Sequence, residues 1–336
     1  MAARHPPRLQ VVEIIAVSLG TRPAMGPLMT LPYEVHPGTT YLLTRRTILR
    51  HFLFRPDRGG RITQIILYAL ALAAKEKGVE VHAVCVLSTH IHIIVTDVRG
   101  NLPEFLHLLH TLIARMTKCH RGWAEEVFNK SSTSRTELLN TAAIVEEIAY
   151  TIANPVAACA VERPELWPGL NVMPEQIGEK VFRVKRPKAH LDPDNPRWPD
   201  EIELPITMPA ALERAEGIEG ARRQIRERVE QKVVRAHVEA RARRLRFGTA
   251  ELAYQRSITE RAKSHEIFGS LCPRFAAAGD REKLRARIEQ HGRFQAAHRV
   301  CVLAELRAEP EAIVWPKGTW KRRLHRGARS GDPPIL

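Results

Sequence analysis

The chain has 336 residues, which is long enough for two domains, and its 44% hydrophobic content is sufficient for a buried core. The formal net charge is +15, and residues 181–336 hold a surplus of 12 positive charges while residues 1–180 hold a surplus of 3. Such a basic excess is typical of proteins that bind polyanions. No stretch approaches the ~18–20 apolar residues of a membrane span, so we expect no membrane insertion.

The five cysteines are odd in number, far apart and without a CxxC pair. This pattern argues against a disulfide framework and favours reduced thiols in a cytoplasmic protein. The N-terminus lacks an apolar segment followed by a small-residue cleavage site, so we expect no signal peptide. Residues 1–28 differ in character from the rest and are kept as a separate, uncertain segment.

Hydrophobic periodicity and turn residues predict seven elements in the first half of the chain. In order they are a strand over Thr39–Thr47, a helix over Arg61–Lys77, strands over Val79–Leu87 and Ile91–Thr96, a helix over Leu102–Cys119, an ambiguous polar edge strand over Val127–Arg135, and a helix over Thr141–Asn154. Pro155 is expected to stop the last helix. The βαββαβ order predicts an α+β domain of the ferredoxin-like, or RRM-like, type, with an antiparallel sheet and helices on one face.

The second half of the chain differs in composition. Proline is frequent from residue 162 to residue 209, which indicates an extended linker or a wrapping segment. Charged helices are predicted over Ala210–Arg246 and Asp280–Arg307, either as solvated helices or as DNA-contacting surfaces. We therefore expect a domain over residues 29–170, a Pro-rich linker over 171–209 and a mostly helical, basic region over 210–336.

A basic run near the C-terminus contains Lys321, Arg322 and Arg323 beside Trp320. Basic side chains next to an aromatic ring suit a nucleic-acid strand, although such tails are often only solvated charge.

The most specific local pattern is His90-Ile91-His92, at the start of the second predicted strand of the β-hairpin. Side chains alternate across a strand, so both imidazoles project to one face with Cα atoms ~6.5–7 Å apart, while Ile91 enters the core. Two imidazoles at that separation can reach one cation. Two partly exposed strand histidines are the plainer interpretation.

A second pattern lies on the last helix of the same domain, where Tyr150 and Asn154 are four residues apart. Residues with this spacing lie one above the other on a helix. Ile144, Ile148 and Ile152 form another stripe, nearly opposite, so Tyr150 is poorly placed to fill the core. The alternative is a boundary tyrosine with its hydroxyl in water.

Together these patterns resemble the single-tyrosine HUH transposases of insertion sequences, and in particular the REP-associated tyrosine transposases. The resemblance covers about residues 35–170, with motifs in the expected order. It is carried by Thr40–Arg46 (TYLLTRR), Val86–Ile94 (VLSTHIHII), Ile148–Val156 (IAYTIANPV) and Val161–Pro168 (VERPELWP).

The resemblance implies that Tyr150 is a nucleophile and that His90, His92 and Asn154 bind a divalent metal ion. It implies a metal-dependent nuclease that nicks single-stranded or hairpin DNA through a 5′-phosphotyrosine and transfers the strand to a new 3′-hydroxyl. Such an ion would withdraw charge from the phosphate, and two imidazoles with one amide suit Mn²⁺ better than Mg²⁺.

The DNA backbone would be contacted by Arg45 and Arg46 of the first strand and by the basic C-terminal region. A solvated sheet edge is an equally good explanation of Arg45 and Arg46. The sequence leaves a homodimer open.

Two departures from the family pattern stand out. Relatives often have Pro-Asn before the first histidine, where this chain has Ser88-Thr89, and Ser-Ser after Trp-Pro, where it has Gly169-Leu170. Two other functions therefore remain: a domesticated nucleic-acid-binding module without catalysis, and a metal-dependent hydrolase that uses water as its nucleophile.

Overall fold

The computed structural model describes residues 32–129, 133–188, 191–262, 273–307, 313–320 and 329–331. The segment 1–28 and the predicted DNA-binding residues Lys321, Arg322 and Arg323 lie outside the described residues.

The described chain consists of six α-helices and nine short or medium strands. The strands are β1 Thr39–Arg46, β2 Val79–Val86, β3 His90–Asp97, β4 Ser134–Leu138, β5 Val181–Lys185, β6 Glu201–Pro205, β7 Phe275–Ala276, β8 Val314–Pro316 and β9 Arg329–Gly331. The helices are α1 Arg61–Lys77, α2 Leu102–Arg121, α3 Thr141–Ala157, α4 Ala210–Ala242, α5 Ala250–Gln255 and α6 Arg281–Leu306.

The central sheet has the strand order β2-β3-β1-β4-β7. Its first four strands pair antiparallel in the arrangement expected of a βαββαβ domain, and β7 adds a short parallel strand at the β4 edge. The predicted α+β, ferredoxin-like class with a helical C-terminal part is confirmed. β1 is an inner strand of this sheet. The interpretation that Arg45 and Arg46 lie at a solvated sheet edge is therefore wrong.

Helices cover both faces of this sheet. On one face, Ile91 and Ile93 of β3 share a small cavity with Leu106 and Leu109 of α2, and α1 packs beside α2. The alternate residues of β3 face α3 on the other side, where His92 meets Tyr150. The helices within the βαββαβ run thus share a face, and the helix that follows encloses the opposite one.

The prediction that Pro155 stops α3 is wrong, because the helix continues through it to Ala157. Proline lacks one N–H, but near a helix end the remaining groups can compensate. Here the Ala158 amide donates to the Asn154 carbonyl and the Ala160 amide donates to the Pro155 carbonyl, while Val156 is fully buried.

The Pro-rich segment contains a hairpin, formed by β5 and β6, that packs on α1. The Tyr68 hydroxyl of α1 donates to the Pro199 carbonyl, and Ile206 forms a bridge with Val81 at the β2 edge. After this hairpin, α4 packs along α3, and this contact is the most extensive between two helices in the described part of the chain. A kink at Gly217, where φ is +66°, divides α4 near its start. The domain boundaries stay a prediction.

No helix in the described part of the chain combines the length and apolar character needed to cross a membrane.

Candidate active site

Strand β3 presents His90 and His92 to the α3 face of the sheet. The register pairs His92 with Thr44 and His90 with Arg46 across β1 and β3. Ile91 and Ile93 face α2 on one side of the sheet. Because side chains alternate along a strand, His90 and His92 face the other side. Their ring centroids are 4.8 Å apart.

His92 is only 3% exposed, so it is not a partly exposed strand histidine. Its Nδ1 lies 2.9 Å from the Thr44 hydroxyl. Its Nε2 is buried and has no hydrogen-bond partner among the described residues. A buried polar atom without a partner costs about 1–3 kcal/mol, so Nε2 of His92 is an atom whose lone pair or proton a ligand could satisfy.

His90 lies beside His92 and faces the last turns of α3. Its Nδ1 is 2.9 Å from the Thr89 hydroxyl, and its Nε2 is 3.2 Å from Oδ1 of Asn154. Burial, with the charges of Arg46 and Arg50, lowers the pKa of His90 to about 4. Burial and the neighbouring His90 lower the pKa of His92 as well. Both imidazoles are therefore neutral at pH 7, which is the form that binds metals.

Helix α3 brings Tyr150 and Asn154 to the histidines. It is capped at its N-terminus by Asn140, whose side chain accepts a hydrogen bond from the Ala143 amide. Ile144, Ile148 and Ile152 are buried as one stripe, as the periodicity predicted. This orientation leaves Tyr150 37% exposed while Asn154, one turn later, is 6% exposed.

The Tyr150 ring packs edge-on against His92, with ring centroids 5.3 Å apart. Burial and the Glu147 carboxyl raise the pKa of the phenol, whereas a hydrogen bond with Asn154 and the Arg46 charge lower it. The Tyr150 hydroxyl is thus influenced by the same Asn154 amide whose oxygen faces His90. Tyr150, His90, His92 and Asn154 converge on one small region from two elements that are far apart in sequence.

The donor atoms present fit a divalent cation of intermediate hardness. No three side chains of the His, Cys, Asp or Glu type form a metal site within the described part of the chain, so the imidazole pair needs a donor of another type. Asn154 Oδ1 supplies an oxygen at the required place. Thr44 can accept a hydrogen bond from Nδ1–H of His92, which would leave Nε2 as the ligating atom.

The two arginines predicted to contact DNA are on opposite faces of the sheet. Arg46 lies on the side of the site, where its charge acts on His90 and on Tyr150. Arg45 lies on the α2 side, with its guanidinium 5.1 Å from the Phe128 ring and donating to the Asn129 carbonyl. Only Arg46 is therefore placed beside the candidate site.

Several site residues were absent from the predictions. Thr44 contacts His92 across two strands, Glu147 lies one turn before Tyr150 and has its pKa raised to about 7 by burial, and Lys232 of α4 lies over the Tyr150 ring at 5.9 Å. The i, i+3 spacing of Glu147 and Tyr150 was a usable signal. Thr44 required the strand register, and Lys232 required a contact between residues 82 positions apart.

The two departures, Ser88-Thr89 and Gly169-Leu170, each make or permit contacts with neighbouring residues. Thr89 contacts His90, and its carbonyl accepts hydrogen bonds from the Thr47 amide and hydroxyl. Trp167 donates from its indole nitrogen to the Val86 carbonyl. A Cβ at Gly169 would lie 2.5 Å from that nitrogen and 3.1 Å from the same carbonyl, so any larger residue would disturb this support of β2.

No family model matches this chain, and no curated protein matches it significantly. Among solved structures, it is similar to a REP-associated tyrosine transposase bound to a REP hairpin, with a TM-score of 0.33 and 16% identity over 42% of this chain and 81% of the other. It is also similar to a proposed transposase from Deinococcus radiodurans R1, with a TM-score of 0.24 and 20% identity over 31% of this chain and 82% of the other. Neither likeness assigns a function to this chain.

Proposed function

We propose that this protein is a transposase-type nuclease that cuts and rejoins single-stranded or hairpin DNA, with Tyr150 as the nucleophile. The observation that supports this proposal is the convergence of the Tyr150 ring on a buried imidazole pair, one of whose nitrogens lacks a hydrogen-bond partner within the described residues. A histidine that only fills the core would have hydrogen-bond partners at both ring nitrogens. A tyrosine that only fills the core would not be partly exposed to solvent beside such a histidine pair.

In this proposal, His90, His92 and Asn154 bind a divalent ion, Mn²⁺ in preference to Mg²⁺. When bound, such an ion would supply charge neutralisation at a non-bridging phosphate oxygen. Thr44 would fix the tautomer of His92 by accepting from Nδ1–H, and Asn154 would connect the phenol with the imidazoles.

The Tyr150 hydroxyl would attack phosphorus as it loses its proton. The P–O3′ bond breaks, the 3′-oxygen leaves and gains a proton, and a 5′-phosphotyrosine remains on the protein. Because one phosphate ester replaces another, a second 3′-hydroxyl can reverse the step and join the strands without ATP. Glu147, with a pKa near 7, is a candidate acceptor for the phenol proton at neutral pH.

The test is adduct formation by the full chain with labelled single-stranded and hairpin oligonucleotides, including the DNA that flanks the gene, in the presence of Mn²⁺. We expect a covalent protein–DNA band on a denaturing gel and a free 3′-hydroxyl product. Tyr150→Phe should abolish the band, and Tyr254→Phe, a tyrosine on the separate helix α5, should not.

Other outcomes would reject the proposal in distinct ways. Nicking that persists in Tyr150→Phe without an adduct would indicate a hydrolase that uses water. DNA binding without nicking by the wild type would indicate a binding module.

A further inference from the structure

Helix α4, which belongs to the C-terminal part of the chain, reaches the candidate site. Its residues Val229, Val233 and Ala236 are buried in the same core as α3. Arg228 and Lys232 are four residues apart on α4, so they lie on one side of the helix, and both extend to α3.

Both cations contact a single carboxylate on α3. Arg228 Nε and Lys232 Nζ each lie 2.5 Å from an oxygen of Glu146. The ammonium of Lys232 also lies 5.9 Å from the centroid of the Tyr150 ring. The Lys232 charge is thus beside the phenol that is proposed to receive a DNA phosphate.

The charges in this cluster do not balance. Arg228 and Lys232 supply two positive charges and Glu146 one negative charge. Burial raises the pKa of Glu147 to about 7, so this carboxyl does not supply a full second negative charge at neutral pH. The side chains of Arg228, Glu146 and Lys232 are 47%, 26% and 21% exposed, so a ligand from solvent can reach them. A net positive group that is open to solvent beside Tyr150 suits an anion.

We propose that Lys232, together with Arg228, binds a backbone phosphate of the DNA strand next to the phosphate attacked by Tyr150, and that Glu146 holds the two cations until that phosphate replaces it. The inference rests on the proposed function for its placement of the DNA. It extends the site from the sheet domain onto α4, so the DNA strand would run over the solvent-facing edge of the α3–α4 pair at the Tyr150 end.

The variants Lys232→Met and Glu146→Gln distinguish a phosphate contact from a purely structural ion pair. Removing the lysine charge should weaken binding of a mixed-sequence single-stranded oligonucleotide about 5–10-fold and lower the slope of log affinity against log salt by about 0.7. Removing the competing carboxylate should strengthen binding about 2–5-fold. Lys232→Arg should restore wild-type binding.

Arg226→Met is the matched control. Arg226 is on the same helix and pairs with Glu175 at 2.9 Å, on a different side from Arg228. We expect Arg226→Met to bind the oligonucleotide with an affinity within 2-fold of the wild type, and with the wild-type slope of log affinity against log salt. The fold should survive in Lys232→Met because Glu146 keeps its contact with Arg228.

The proposal is overturned if Glu146→Gln and Lys232→Met both weaken binding, or if neither changes it more than Arg226→Met does. If the two variants shift binding in opposite directions while the wild type never forms an adduct, the phosphate contact holds and the nuclease proposal fails. If the wild type binds no single-stranded DNA, both proposals fail.

Discussion

Two histidines on neighbouring strands of one sheet, His82 of β2 and His92 of β3, differ in how their ring nitrogens are satisfied. His82 Nδ1 lies 2.9 Å from the Thr207 carbonyl and its Nε2 lies 2.8 Å from the Thr96 hydroxyl. His92 has only the Thr44 hydroxyl at Nδ1, and its Nε2 has no hydrogen-bond partner in the described part of the chain. Both are buried, so burial alone does not separate them.

The difference shows what distinguishes a structural histidine from a candidate ligand. Since a carbonyl can only accept, His82 carries its proton on Nδ1 and accepts at Nε2, and all its hydrogen-bonding capacity is used. His92 with its proton on Nδ1 would leave a lone pair on Nε2, in a ring that packs against those of His90 and Tyr150. The sequence motif alone could not make this distinction, because it depends on the partners across the sheet.

The largest expected effect comes from removing His92, which we propose as a metal ligand. We expect His92→Ala to lower the rate of adduct formation at least ~10³-fold and to abolish the rise in Tm that Mn²⁺ gives the wild type. His82→Gln should keep both the Mn²⁺-dependent rise in Tm and the adduct. Adduct formation by His92→Ala at more than a tenth of the wild-type rate would remove His92 from the metal site.

A second prediction concerns stability against pH in metal-free protein. Burial lowers the pKa of His82 to about 4, below its ordinary value of 6.5. The unfolded chain therefore binds the proton first, so the contribution of His82 to stability is complete above pH 6.5 and is lost as the pH falls toward 4. The free energy of unfolding of the wild type should drop by up to about 3 kcal/mol more than that of His82→Gln over this range.

Urea denaturation at several pH values in the presence of EDTA measures this difference. The other buried histidines contribute equally to both proteins and cancel in the comparison. Parallel pH profiles for the two proteins would show that His82 is not held in its neutral form by the fold.

The smallest expected effect is that of Thr44→Val, which removes the hydrogen bond to Nδ1 of His92 but keeps the side-chain shape. We expect Mn²⁺ affinity, measured by calorimetry, to fall about 10-fold, because outer hydrogen bonds fix the tautomer and orientation of a ligating imidazole. Thr96→Val, which acts on His82 instead, is the control and should leave Mn²⁺ affinity unchanged. Equal affinity in Thr44→Val and the wild type would show that Thr44 does not fix the tautomer.

The sequence predicted most of the sheet domain because its signals are local, but the polar edge strand predicted over Val127–Arg135 is wrong: β4 lies at Ser134–Leu138, and β7 lies beyond it. The apolar spacing of α1 and the terminating Gly78 gave the bounds of that helix as observed, and the alternation around Ile91 gave the orientation of both imidazoles. The end of α3 was wrong because the chain after Pro155 supplies hydrogen bonds that the helix pattern does not encode.

The remaining parts of the site depend on contacts between distant residues. Thr44 reaches His92 only through the β1–β3 register, and Lys232 reaches Tyr150 only through the packing of α4 on α3. Neither contact leaves a periodic trace in the sequence. The hairpin β5–β6 was missed because its proline-rich surroundings indicate an extended segment more strongly than its short alternating runs indicate strands.

The histidines and the tyrosine of the candidate site come from one polypeptide, since α3 follows the sheet strands by a short connection and packs on them directly. A single molecule would therefore hold the complete set of reacting groups. We expect the rate of cleavage per protein molecule to stay constant on dilution, and any pairing of two molecules to organise two DNA ends without completing either site.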